Sequence, residues 1–205
     1  LPAASGYFAS RAAPMGAVTG EVVVATFYNF SPGFVLDAIP SAWSIASPEQ
    51  ILAARTAAAG DMLRRVLGDL AEGPHVDEAA DLAERAAASA SEHVEGRPLF
   101  AGHAALEWPE DPLVRLWHAQ SLLREFRGDG HIAALVLEGV SGLEALLLHG
   151  ASGEVPGEAL RATRQWSDDE WRAGLERLCE RGLLERDGSF TDQGAALRQR
   201  IEDTT

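Results

Sequence analysis

The residues with the most chemical potential cluster near the middle of the chain. Arg124, Arg127, Asp129 and His131 fall in the run Leu-Leu-Arg-Glu-Phe-Arg-Gly-Asp-Gly-His. Gly128 and Gly130 let the backbone bend sharply there. Asp129 is placed to accept from an arginine or from His131, which raises the pKa of the imidazole. On one reading this corner is a pocket for an anion or polar ligand, with Arg124 and Arg127 clamping a carboxylate or phosphate. On the other it is a helix end whose arginines complement the dipole, with Asp129 capping the next helix. His118 precedes it on the same apolar run. Tyr28 and Asn29 stand between Phe27 and Phe30, where they either line a pocket or end a helix, Asn29 tolerating left-handed geometry.

Other chemistry finds little support. His118, His131 and His149 lack a histidine or carboxylate at the four-residue spacing of a helical metal pair, and His103, with Glu107 four residues on, falls in a stretch read as loop, so no metal ligand is expected. Gly139-Val140-Ser141-Gly142 is not a nucleophile elbow, because its second glycine comes one place early. All 17 basic residues are arginine, so a phosphate-binding loop with its lysine is excluded. No catalytic residue and no cofactor are expected.

Those residues need elements to hold them. The 205 residues are 46% hydrophobic and 23% charged, ordinary for a globular protein. Alanine is abundant and β-branched residues are sparse, which favours helix over sheet. The net charge of -14 disfavours nucleic acid and anionic membrane unless charge is segregated. The lone Cys179 excludes a disulfide framework. No apolar run of about 18 residues and no signal peptide are seen, so no membrane partner and a cytoplasmic location are expected. The chain begins at Leu1 without Met, so any upstream segment lies outside this reading.

Punctuation sets the elements. A short helix ends at Pro14-Met15-Gly16. Thr19 caps a helix carrying Val23, Phe27 and Phe30. Ser47-Pro48-Glu49-Gln50 resembles a capping box and opens a helix over 48–68, with Ile51, Leu52, Met62, Leu63, Val66 and Leu67 on its buried side. Residues 76–93 form an alanine-rich helix and 95–110 a loop. Asp111-Pro112 starts a further helix that ends at the glycine corner, where a second begins. A short helix covers 156–164. Ser167-Asp168-Asp169-Glu170 is a capping box for a helix to about Arg181, with Trp171, Leu175 and Leu178 on one face. Asp187-Gly188 is the dipeptide of a two-residue hairpin, and Thr191 caps a last helix through Ile201.

Helix, short helix, capped helix, hairpin and helix is the order of a winged helix-turn-helix. The stretch Trp171 to Leu184, then Asp187-Gly188 and Thr191-Asp192-Gln193-Gly194-Ala195-Ala196-Leu197, resembles the MarR-type proteins over roughly the last 60 residues. The whole chain is similar to an actinobacterial helix-turn-helix family labelled SalK-like. The matching stretches are Phe27-Tyr28-Asn29-Phe30, Gly96-Arg97-Pro98-Leu99-Phe100, Leu116-Trp117-His118-Ala119, Arg127-Gly128-Asp129-Gly130-His131 and Trp166 to Trp171. The resemblance implies a regulator. The residues argue partly against DNA: from Gly142 on, 8 Arg face 13 Asp and Glu, net 8 - 13 = -5. Arg172, Arg177 and Arg186 supply a local basic stripe.

The expectation is a mainly α fold. A helical N-terminal region (1–111) packs on a C-terminal winged helix-turn-helix module (112–205) with a small β-hairpin wing. It serves a MarR-like transcriptional regulator or small-ligand sensor, a homodimer whose partners are DNA and a small apolar or anionic ligand. The alternatives are a ligand-binding protein or enzyme on the same scaffold that does not bind DNA, and a purely structural interaction module.

Overall fold

A computed structural model describes residues 3–205. Eleven α-helices are formed among them: α1 (Ala3–Ala12), α2 (Gly20–Phe27), α3 (Pro32–Ala38), α4 (Pro48–Leu67), α5 (Pro74–Ala90), α6 (Pro98–Ala104), α7 (Pro112–Leu137), α8 (Gly142–Ala151), α9 (Gly157–Arg164), α10 (Asp168–Glu180) and α11 (Asp192–Thr204). The mainly α expectation holds. The chain forms two compact units. The first takes the chain up to Thr19 and Ala38–Asp129; the second takes Gly20–Asp37 and Gly130–Thr205.

Local chemistry explains most boundaries. Ser47 and Gln50 form a reciprocal capping box at α4, as do Ser141 with Glu144 at α8 and Ser167 with Glu170 at α10. Each satisfies backbone N–H groups that the first helical turn leaves open. Pro48, Pro74 and Pro98 sit at first-turn positions where no N–H is needed. Gly182, at φ 67°, follows α10, a conformation that costs a glycine little.

Five expectations are corrected. The hairpin wing does not form: among the described residues there is no strand, and Leu184 and Phe190 make one isolated antiparallel bridge. The arms do meet, Glu185 N–H donating to Ser189 O at 2.8 Å and Thr191 N–H to Leu183 O at 3.2 Å, but the pairing goes no further. The N–H groups of Leu183 and Leu184 donate back to Leu178 O, and the Thr191 side chain is already the cap of α11. Too few residues remain between them for a ladder.

The glycine corner does not form either. α7 runs unbroken from Pro112 to Leu137 through Gly128-Asp129-Gly130. Asp129 caps no following helix; its Oδ2 accepts from the Phe100 N–H at 2.9 Å, at the start of α6. That helix lies within 95–110, where the sequence predicts loop. It lacks a side-chain cap from its own N-terminal residue, and Asp129 supplies one from a distance.

The buried side of α4 is also different. Met62, Val66 and Leu67 are exposed, while Ile51, Ala59 and Gly60 are buried. A Cβ on Gly60 would lie 3.1 Å from a Val114 methyl. The small face is therefore the one that approaches α7, and the bulky one is left outside. Finally, the left-handed residue after α2 is Tyr28 (φ 51°), not Asn29.

Small residues set the packing in the first unit as well. Ala83 and Ala87 on α5 pack with Phe100, Ala119 and Leu122, and Phe126 meets the Phe100 ring edge-on at 5.1 Å. The second unit is built on leucines: Leu143, Leu147 and Leu148 of α8 with Leu178, Leu183, Leu184, Leu197 and Ile201. Burial of such side chains stabilises by about 1.5–3 kcal/mol each, so this core secures the helices around it.

Candidate functional site

α7 carries a buried stripe at spacings of four, three and four: His118, Leu122, Glu125 and Asp129. Three of these four are polar. Glu125 is only 2% exposed. It accepts two bonds from Arg11 of α1, Nη2 to Oε2 at 2.9 Å and Nε to Oε1 at 3.3 Å, a bidentate pair. Arg124 donates to Oε1 as well. Burial acts to lower the Arg11 pKa, but Glu125 and Tyr7 together outweigh it and the guanidinium is held above its usual value.

Beside this pair lies a cation with no carboxylate of its own. Arg55 of α4 donates through Nη1 to His103 Nε2 at 3.1 Å, and its guanidinium stacks 4.8 Å from the Trp117 ring centre. Among the described residues it forms no ion pair, and its Nε and Nη2 have no hydrogen bond. Burial lowers its pKa to about 10, Glu125 acting in the other direction and Arg124 and Arg11 in the same one.

His103 is fully buried on α6. Its Nδ1 lies 2.9 Å from Leu99 O and must donate there, because a carbonyl only accepts. Nε2 is then the acceptor for Arg55, and the ring is neutral. Burial drives its pKa down to about 4, with Arg55 adding to the effect, against the opposing Leu99 bond and Glu125. His118 is 5% exposed and meets the Trp108 ring edge-on at 4.9 Å. Among the described residues its imidazole has no hydrogen bond, and Nε2 is wholly buried. Burial and then Arg55 lower its pKa.

His103 gives the first unit a pH dependence of definite sign. The unfolded chain protonates this ring near 6.5 and the folded one near 4. Its contribution is complete above pH 6.5 and is lost as pH falls through that window, by about 3 kcal/mol. Thermal melts of the wild type should therefore decline between pH 6.5 and 4 more steeply than those of His103→Gln. Parallel declines would show that His103 does not titrate as described.

The other residues singled out from the sequence are distributed as follows. His118, Arg124 and Asp129 are in the first unit, Asp129 with its pKa raised by burial despite the Phe100 and Leu99 N–H groups. Arg127, also on α7, is exposed. Tyr28, Asn29 and His131 are in the second unit. The Tyr28 hydroxyl donates to Val140 O, Asn29 O accepts from Trp166 Nε1 at 2.9 Å, and His131 Nδ1 lies 3.0 Å from Thr205 Oγ1. Arg11, Arg55 and Glu125 were missed. A legible signal existed for Glu125, since it shares a helical face with Leu122, but only the fold brings Arg11 and Arg55 to it. Among the described residues no group of three or more His, Cys, Asp or Glu is placed to hold a metal.

The second unit holds a different kind of site. α9 and α10 are joined by Gln165, Trp166 and Ser167, with Gln165 left-handed at φ 54°, and both pack on α8. Two helices meeting at a three-residue turn, braced by a third, form a helix-turn-helix. A family profile described as a helix-turn-helix family matches residues 1–205. The chain belongs to that family. No curated protein and no solved structure matches it.

In this helix-turn-helix, α10 is the candidate reading helix. Its first-turn carboxylates are locally compensated: Asp168 meets Arg161, Asp169 pairs with Arg172 at 3.0 Å, and Glu170 is engaged in its capping box. Arg177 lies 3.5 Å from the buried Glu144, as does Arg181. Burial acts to raise the Glu144 pKa, but the Ser141 hydrogen bonds and these two arginines hold it below the usual range. Arg186 is exposed in the turn before α11. Among the described residues no single helix is long and apolar enough to cross a membrane.

Proposed function

We propose that this helix-turn-helix protein is a MarR-like transcriptional regulator, a homodimer in which α10 contacts DNA and the polar cluster of the first unit receives a small ligand. The observation that carries the DNA half is the α9–turn–α10 geometry of a chain matched by the family from end to end. Arg172, Arg177 and Arg186 are the phosphate- or base-contacting residues. Regulator chemistry suits a unit separate from the DNA element that holds an unsatisfied buried imidazole and a cation without a carboxylate.

The electrostatics set what binding must look like. α10 carries Asp168, Asp169, Glu170, Glu176 and Glu180 against Arg172 and Arg177, net 2 - 5 = -3. Few counterions are released on binding, so three arginines give a log-log salt slope of only about -3. Gel shifts on DNA upstream of the protein's own gene should show a complex at low salt with that shallow dependence. Arg172→Ala with Arg186→Ala should abolish it. Absence of any complex at low salt would sink the DNA half and favour a ligand-binding protein that has kept the fold without the DNA contact.

A further inference from the structure

We propose that the solvent-facing side of α4 is the surface through which two copies of this chain pair, about a two-fold axis near Met62. The inference rests on the homodimer reading given above and names its interface.

Four of the large apolar side chains left in solvent fall within one short stretch: Met62, Val66, Leu67 and Leu70, with Val66 72% exposed. Met62 and Val66 continue a row of exposed residues four apart, Ala54, Ala58, Met62 and Val66, which forms a ridge along the helix surface. The first half of the ridge is small and the second half bulky. Turned end for end, the ridge therefore fits itself. Met62 meets its own copy at the axis, and Val66 of each chain fills the space over Ala58 of the other. Ridges of this kind interdigitate at about −50°, with the helix axes roughly 8–10 Å apart.

Charge agrees with that fit. Beside the ridge runs a second exposed row, Ala57, Asp61, Arg65 and Asp69. Arg64 is taken up by Asp111, whereas Asp61 and Arg65 form no ion pair among the described residues. Reversal about Met62 sets Asp61 of each copy beside Arg65 of the other. The chain carries a net charge of -14, so two copies repel over much of their surface. α4 does not share that charge: Arg55, Arg64 and Arg65 stand against Glu49 and Asp61, net 3 - 2 = +1.

These features select a second copy over any other partner. One surface supplies both the bulky and the small positions, and both the acid and the base, as a closed two-fold contact requires. α4 has 20 residues and a length of about 30 Å. The contact is therefore at the small end of stable interfaces, and the pair exchanges with monomer at roughly micromolar concentration.

Sedimentation equilibrium on the full chain over roughly 1–200 µM should show a species of 21.8 kDa passing to one of twice that mass and to none larger. Val66→Glu should weaken the pairing about tenfold or more. Leu137→Glu, at the 79% exposed end of α7, should leave it unchanged. Both side chains lie in solvent, so circular dichroism should not change. Asp61→Arg and Arg65→Asp each bring like charges together twice and should weaken the pairing severalfold. The two combined should restore it, because the exchanged charges meet again across the axis. A monomer throughout the range, a dimer indifferent to Val66→Glu, loss of pairing in Leu137→Glu, or a double exchange as weak as either single change would each overturn the assignment. A dimer that survives Val66→Glu keeps the homodimer and removes this face from it. A gel-shift complex formed by a monomeric wild type keeps the DNA contact and removes the pairing.

Discussion

Glu125→Ala should destabilise the first unit by about 3–5 kcal/mol, the loss typical of a buried ion pair stripped of one partner. The reason is the asymmetry of the pair. Glu125 is 2% exposed and takes two bonds from Arg11; without it the part-buried Arg11 guanidinium loses its bidentate carboxylate. Arg124, more than half exposed, turns to water at little cost. A thermal midpoint lower by roughly 6–20 °C is the expected reading for a chain of this size. Removing both charges tests the cause: Arg11→Met with Glu125→Leu should recover most of the loss, since apolar groups of matching shape replace a buried pair at low cost. A loss below about 1 kcal/mol in the single variant would mean that solvent reaches the pair.

The second large effect comes from a glycine that ordinary propensity would replace. Gly→Ala inside a helix normally gains up to about 1 kcal/mol. At Gly142, in the first turn of α8, a Cβ would fall 1.9 Å from Tyr28 O and 2.7 Å from its carbonyl carbon. These are backbone atoms and cannot rotate away. Tyr28 is held by its left-handed φ and by its hydroxyl on Val140 O. Gly142→Ala should therefore cost at least about 2–3 kcal/mol, near the upper end for overpacking. Gly128→Ala is the internal control. It sits within α7, where a Cβ meets nothing nearer than Glu125 Oε2 at 3.9 Å, and should stabilise by about 0.5–1 kcal/mol. Chemical denaturation of the two variants side by side reads both signs. A destabilised Gly128→Ala would contradict an unbroken α7.

That last contrast shows where sequence reading reached its limit. Gly128-Asp129-Gly130 has the local composition of a turn, and nothing in a window of ten residues argues otherwise. Helix wins because Leu122, Phe126 and Ala119 are packed on one side of the glycines and Ala134 and Leu135 on the other, while Asp129 is drawn inward to Phe100 N–H. The penalty of two helical glycines, about 1 kcal/mol each, is small beside that burial. The wing failed for a related reason. Asp187-Gly188 does make its turn, with Gly188 at φ 85°, but the arms pair only over a single bridge before Leu183 turns back to α10 and Thr191 begins α11.

By itself the sequence determined what depends on neighbours along the chain. The capping boxes at Ser47 and Ser167, the proline starts, the glycine after α10 and the mainly helical composition are interactions spanning a few residues, and each appears where the residues dictate. The helix-turn-helix was legible for the same reason, since α9, its turn and α10 are contiguous. Tertiary structure alone decided which polar residues meet. Arg11 and Glu125 are 114 positions apart and Arg55 and His103 are 48 apart, and no local pattern encodes such pairs. It also decided that Gly20–Asp37 belongs with the C-terminal unit. Burial then did the rest: it left His103 neutral, held Arg11 on Glu125, and left His118 Nε2 unsatisfied.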